Sequence, residues 1–62
     1  MWKGYTMDRA SGEDFKVFLR TGGFYYEASS CYADIHFEIR IDNPSSLEKV
    51  TRWLEKYFEE AA

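Results

Sequence analysis

The side chains with the most chemical potential lie close together in the sequence, at Cys31, Asp34 and His36. These three types ligate zinc, but a structural zinc site needs a second pair of ligands, and the chain has one histidine. A Cys–His nucleophile needs a base held against the thiol in a cleft that excludes water. A chain of 62 residues rarely encloses such a cleft. We therefore expect no catalytic set, no metal and no cofactor, with His36 on a sheet surface and Cys31 packed at a turn.

Charge and composition limit the class of partner. Eight Lys and Arg against eleven Asp and Glu give a net charge of -3, whereas binding dominated by phosphate contacts calls for a basic surplus. The single cysteine excludes an intrachain disulfide. No apolar run approaches the roughly 20 residues of a membrane-spanning helix. We expect a soluble cytoplasmic protein with no membrane partner.

The C-terminal third, residues 43–62, has the pattern of an amphipathic helix. Pro44 suits the first helical position and Asn43 is a good N-cap. Residues 45–48 form a competing capping box, which leaves the start open by about two residues. Apolar residues then recur every three or four positions, which predicts one buried stripe: Leu47, Val50, Trp53, Leu54, Tyr57, Phe58 and Ala61.

Residues 35–41 alternate between apolar and polar types, as in a strand with one buried face. Residues 24–29 have the composition of a second strand, and residues 29–34 would carry the return. Residues 1–13 are predicted to be a further strand or an extension, with a turn over residues 10–13.

Residues 14–20 fit two structures. As a strand they direct Phe15, Val17 and Leu19 inward, and residues 21–23 close a hairpin with glycine at the turn. As a helix they begin at a Ser11 cap and end at Gly22. We favour the strand, because the helix leaves Val17 on the wrong face.

These elements add up to one α+β domain over residues 1–62. We predict an antiparallel meander of three strands within residues 14–42, or of four strands if residues 2–9 also pair, with the C-terminal helix packed on one face. Phe37, Ile39, Leu54 and Phe58 are the predicted contact between sheet and helix. The opposite sheet face stays uncovered in this arrangement. Its predicted residues are Lys16, Phe18, Arg20, Tyr25, Glu27, His36, Glu38 and Arg40.

The uncovered face and the exposed side of the helix are the two candidate contact surfaces. The helix side carries Glu48, Glu55 and Glu59. Three basic residues on the same side reduce its negative charge: Lys49, Arg52 and Lys56. We expect a non-enzymatic protein-binding module. In size and acidity the chain resembles the small inhibitors that phages and mobile elements encode against host nucleic-acid enzymes, such as anti-CRISPR and anti-restriction proteins. That resemblance implies an enzyme of this class as the partner.

Two alternatives follow from the same face. Aromatic rings interleaved with Lys16, Arg20 and Arg40 suit a small nucleic-acid-binding or transcription-regulating domain, in which bases stack on the rings. An uncovered apolar face also predicts a homodimer, with Phe18 and Tyr25 at its centre.

Overall fold

The computed structural model describes the backbone of residues 1–59 and the side chains of residues 1–57. It is a small α+β domain with a three-stranded antiparallel sheet and two helices. The elements in chain order are β1 (Trp2–Asp8), α1 (Arg9–Gly22), β2 (Tyr26–Cys31), β3 (Asp34–Arg40), α2 (Pro44–Leu54) and a π-helical turn (Glu55–Glu59).

The strand order is β1-β3-β2, with β3 antiparallel to both neighbours. β1 and β2 therefore run parallel at the two edges, and α1 carries the chain from one edge to the other. This is a βαβ unit split by an inserted strand. The predicted meander is wrong because β1 and β2 are not neighbours, and a fourth strand is absent from residues 1–59.

The prediction of a strand over residues 14–20, within the strand region 14–42, is also wrong, since these residues form most of α1. The Asp8 carboxylate accepts a hydrogen bond from the Ser11 backbone N–H at 2.8 Å and caps the helix. The predicted turn over residues 10–13 is therefore its first turn. Val17 is 60 % exposed, so the helix does leave this apolar side chain in water, and burial of Phe15 and Leu19 outweighs it.

Gly23 ends α1 and does not turn a hairpin. Its φ of 76° lies in the left-handed region that favours glycine. The Gly23 N–H donates to the Arg20 carbonyl and the Phe24 N–H donates to the Leu19 carbonyl, at 3.2 and 2.9 Å. This bond pair is a Schellman motif, and its usual hydrophobic contact is the stack of Phe24 on Phe18.

The second strand differs from its predicted bounds at both ends. β2 begins two residues later than residues 24–29 predicted and extends to Cys31, so the return is a tight turn at Tyr32 and Ala33. Tyr32 takes a φ of 54° and is 94 % exposed. The last residues of β2 are mostly small and polar, and backbone pairing with β3 keeps them in the sheet. The pattern of side chains alone does not reveal this pairing.

β3 is the strand whose alternation predicted its structure correctly. Its inward residues, Ile35, Phe37 and Ile39, are at most 2 % exposed, and Ile41 beyond the strand is 5 % exposed. We call this side of the sheet the core face. It is buried together with Phe15 of α1, whose ring meets the Phe37 ring edge-on at 5.0 Å.

α2 begins as predicted, with Pro44 in its first turn. The Asn43 side-chain oxygen accepts a hydrogen bond from the Ser46 N–H at 2.9 Å. Val50 is fully buried in the core cluster. Three further residues of the predicted stripe are partly buried against that cluster: Leu47, Trp53 and Leu54. The predicted contact at Phe58 lies outside the described side chains, and the end of the predicted helix, at residues 60–62, lies outside the described residues.

Replacing Phe37 with Ala is expected to lower the free energy of unfolding by about 3–5 kcal/mol, because the ring is fully buried. Leu54→Ala should cost less, since Leu54 is only partly buried. Should Phe37→Ala be unfolded from the start, Ile39→Val gives a measurable loss of about 0.5–1.5 kcal/mol. The exposed control Val17→Ala should stay within about 0.5 kcal/mol of wild type. Urea denaturation followed by circular dichroism measures all four, and an unchanged midpoint for Phe37→Ala contradicts the packing.

Candidate functional site

The sheet face opposite the core, which we call the open face, collects side chains from all three strands. Side chains directly opposite each other in an antiparallel pair lie on the same face. The strand register therefore arranges the open face as four rows. One of them, Asp8–Asp34–Cys31, lies at the end of the sheet next to the β2–β3 turn. The other three rows are Trp2–Arg40–Tyr25, Gly4–Glu38–Glu27 and Thr6–His36–Ser29.

The Trp2–Arg40–Tyr25 row is an exposed cluster of two aromatic rings and a guanidinium group. The Trp2 and Tyr25 rings meet edge-on at 5.8 Å between centroids, and Arg40 Cζ lies 5.1 Å from the centre of the Tyr25 ring, in reach of a cation–π interaction. Trp2 is 48 % and Tyr25 51 % exposed. Arg40 Nε also lies 3.3 Å from a carboxylate oxygen of Asp42, in an ion pair with both side chains exposed.

The rows that contain Glu38 and His36 are linked by a short hydrogen-bond chain. His36 Nδ1 lies 2.8 Å from Thr6 Oγ1, and His36 Nε2 lies 2.6 Å from Glu38 Oε2. Because the carboxylate accepts, Nε2 carries the proton, and in the neutral ring Nδ1 accepts from the Thr6 hydroxyl. Gly4 makes room for this chain, since a Cβ on residue 4 would lie 2.8 Å from Glu38 Oε2.

A hydroxyl, an imidazole and a carboxylate in this order have the reach for proton transfer. The His36 and Glu38 side chains are 44 % and 45 % exposed, however, so water has access to both. Both ring nitrogens of His36 are engaged within the protein. Among residues 1–59 no three His, Cys, Asp or Glu side chains gather into a metal-binding set. The arrangement orients His36 and Glu38 on a surface, as a binding face requires.

The charge of the open face is mainly acidic. Glu27 lies directly opposite Glu38 in the β2–β3 register, and like charges in this position repel each other. Arg40 is the cationic member of the four rows, and it already has Asp42 as a neighbour.

The structure brings together five of the residues predicted for this face: Tyr25, Glu27, His36, Glu38 and Arg40. Lys16, Phe18 and Arg20 were predicted there and lie instead on α1, because residues 14–20 are helical. Lys16 Nζ sits 3.5 Å from a Glu13 carboxylate oxygen, and Phe18 stacks on Phe15.

The predicted acidic side of the C-terminal helix is partly neutralised. The Glu48 carboxylate accepts a 2.8 Å bond from Arg52 Nη2, with both side chains more than 60 % exposed. Glu55 is exposed at the start of the π-helical turn. The Glu59 side chain lies outside the described residues. Their predicted role in binding a partner stays a prediction.

Sequence reasoning missed Gly4 and Thr6 as members of the site. The available signal was the period of two in β1, where Tyr5 and Met7 occupy the opposite phase and point to the core. That signal assigns a face to each residue. It does not reveal that Thr6 meets His36, which depends on the pairing of β1 with β3.

Apart from the open face, a groove lies between α1 and the C-terminal helical segment. This groove has a volume of about 460 Å³ and is lined by Asp14, Val17, Phe18, Thr21, Gly22, Trp53 and Tyr57. The Trp53 and Tyr57 rings stack at 4.1 Å, and the Tyr57 hydroxyl donates to Asp14 Oδ2 at 3.3 Å. The negative charge of Asp14, followed by desolvation and this hydrogen bond, raises the pKa of Tyr57.

No family model, no curated protein sequence and no solved structure matches this chain. Within residues 1–59, neither helix combines the length and the apolar character needed to cross a membrane.

Gly4→Ala is expected to displace the Glu38 carboxylate from His36, because the added methyl group takes its space. The free energy of unfolding should fall by less than about 1 kcal/mol, since the His36–Glu38 contact is half-exposed and the carboxylate is the end of a flexible side chain. Imidazole ¹H–¹⁵N spectra of His36 report the change. Ser29→Ala, opposite His36 on β2, is the control. Unaltered imidazole resonances in Gly4→Ala would contradict the geometry.

Asp14→Asn is expected to lower the pKa of Tyr57 toward its ordinary value, because the substitution removes the charge that opposes the phenolate. A pH titration of the tyrosine ring carbons by ¹³C nuclear magnetic resonance measures the shift. Glu13→Gln removes a neighbouring charge of α1 and serves as the control. A Tyr57 titration that is the same in Asp14→Asn and wild type would refute this contact.

Proposed function

We propose that this chain is a non-enzymatic protein-binding module whose contact surface is the open face. The observation that carries the proposal is the Trp2–Arg40–Tyr25 row. Trp, Tyr and Arg are the residue types that most often dominate the binding energy of protein interfaces. Here the three lie side by side and are about half exposed. Their mutual contacts fix their positions before binding, which reduces the entropy lost on association.

The charge of the face favours a protein over a nucleic acid. Glu27 and Glu38 lie in the row next to Arg40, where they would repel phosphates. Lys16 and Arg20, on which the nucleic-acid alternative depended, belong to α1. What remains for that alternative is stacking of bases on Trp2 and Tyr25. A partner that presents Lys or Arg side chains beside an apolar patch matches the face better.

In its specific form the proposal names a nucleic-acid enzyme as the partner. Such enzymes expose basic surfaces where they bind phosphates, and an acidic module of 7.4 kDa that covers this surface would inhibit them. This is the activity of the mobile-element inhibitors that the chain resembles in size and acidity. It also places the module in the cytoplasm, where such enzymes act on nucleic acid.

The test begins with capture of the partner by the tagged chain from an extract of the cells that encode it. The captured protein is purified and titrated against wild type and variants by calorimetry. Trp2→Ala and Arg40→Ala should each weaken binding about tenfold or more, the effect expected at a dominant contact. Val17→Ala, exposed on α1, should leave the affinity unchanged. Equal affinities for all four proteins contradict the assigned surface.

Oligonucleotide binding tests the alternative in parallel. Fluorescent single- and double-stranded DNA and RNA are titrated with wild type and Trp2→Ala at two salt concentrations. We expect no binding. Binding that weakens with salt and is lost in Trp2→Ala would overturn the protein-binding proposal, because it identifies stacking and phosphate contacts at the same face.

A further inference from the structure

β2 leaves one of its two backbone edges without a partner in the described chain. The Arg40 N–H donates to the Tyr25 carbonyl at 3.0 Å, which places residue 25 in a hydrogen-bonded pair with β3. Such pairs alternate along antiparallel strands. The backbone N–H and C=O groups of Tyr26, Ala28 and Ser30 therefore point away from β3, and no strand within residues 1–59 pairs with them.

This edge also lacks the features that normally block pairing with another chain. Natural edge strands are protected by lysine, proline, bulges or a covering element. β2 has neither Lys nor Pro, and its last five residues, from Glu27 to Cys31, are all exposed. Ala28, Ser29 and Ser30 are small and uncharged, so an approaching strand meets no steric barrier there, and Glu27 is the one charged residue of β2. The other edge, β1, carries Lys3.

We propose that two copies of the chain pair through β2 in antiparallel orientation and form a continuous six-stranded sheet. Ala28 of one copy faces Ala28 of the other, and Tyr26 of each copy faces Ser30 of its mate. This register uses all three outward residues on both strands, for up to about six backbone hydrogen bonds.

Charge and backbone geometry select this register over its neighbours. A shift by two residues in one direction puts Glu27 against Glu27 of the other copy, and opposed like charges are unfavourable. A shift in the other direction pairs Tyr26 with Tyr32, whose φ of 54° is incompatible with a strand. The proposed register pairs Glu27 with Ser29. The contact is self-complementary about a twofold axis, as an isologous dimer requires.

The dimer has a consequence for the open face, although it does not depend on the proposed function. The twofold axis is perpendicular to the sheet, so the open faces of both copies lie on the same side. Two Trp2–Arg40–Tyr25 rows then share one surface, and a partner with two matching sites gains from bivalent binding. Dimerisation uses the outward backbone groups of β2, whereas the proposed partner binding uses the side chains of the Trp2–Arg40–Tyr25 row.

Sedimentation equilibrium over a series of concentrations tests the dimer. Wild type should approach twice the 7.4 kDa chain mass. Ala28→Pro removes an outward N–H and takes none from the β3 pairing, so it should be folded by circular dichroism and monomeric. Ala28→Thr keeps the N–H and should dimerise like wild type. Trp2→Ala should also dimerise, which separates failure of this proposal from failure of the proposed function.

Disulfide cross-linking tests the register without a proline. In a Cys31→Ser background, Ala28→Cys places two thiols on a directly opposed pair about 5.5 Å apart at Cα, within disulfide range. Ser30→Cys places them four residues apart along the strands, about 13 Å, which is too far to bridge. We expect a covalent dimer on oxidation in the first case and little in the second. A monomeric wild type, a dimeric Ala28→Pro, or equal cross-linking at both positions would overturn the proposal.

Discussion

The contact between the Phe15 ring of α1 and the Phe37 ring of β3 is the interaction on which the other packing depends. Both side chains are fully buried, and the rings meet edge-on at 5.0 Å. Phe15 also lies 4.9 Å from the Trp53 ring, so one side chain joins the sheet to both helical segments. Aromatic rings bury a large area per residue. This compensates for the small core of a 62-residue chain that has no intrachain disulfide.

The burial of Phe37 in β3 also determines which side chains of that strand lie on the open face. β3 is the strand paired on both sides, and its side chains alternate between the core and the open face. A slip of one residue would bring His36 and Glu38 inside and expose Phe37, at a high cost in buried apolar area. The burial of Ile35, Phe37 and Ile39 therefore also holds His36, Glu38 and Arg40 in position. The open face is held in position because the core behind it is closely packed.

Gly4 of β1 and Gly12 of α1 are the points where a missing side chain leaves space for side chains of β3. At Gly4 the space is filled by the Glu38 carboxylate, which bonds His36. At Gly12 a Cβ would lie 2.8 Å from Ile35 Cδ1, so the missing side chain lets α1 approach β3 closely. Gly4 therefore makes room for a contact on the open face, and Gly12 makes room for packing in the core. Both sit opposite side chains of the central strand.

Local pattern alone determined β3 and the existence of α2. In residues 35–41 one phase is wholly apolar, and residues 43–57 combine an N-cap, a helix-starting proline and a helical apolar period, so no distant contact was needed. The structure then chose Asn43 as the cap over the competing capping box at residues 45–48. In each of these segments the side chains on their own distinguish the structure from its alternatives.

Only the tertiary structure decided residues 14–20 and the composition of the open face. Phe15 and Leu19 lie on one face at either period, so Val17 is the residue that separates strand from helix, and its preference for burial is too weak to decide. The Asp8 cap, the left-handed Gly23 and the contacts of Phe15 outweigh it. Because residues 14–20 are helical, Lys16 and Arg20 lie on α1 and not on the open face as predicted. Cross-strand neighbours such as Thr6 and His36 depend on strand order, which arises from how the whole chain buries its aromatic rings and is not encoded in any one segment.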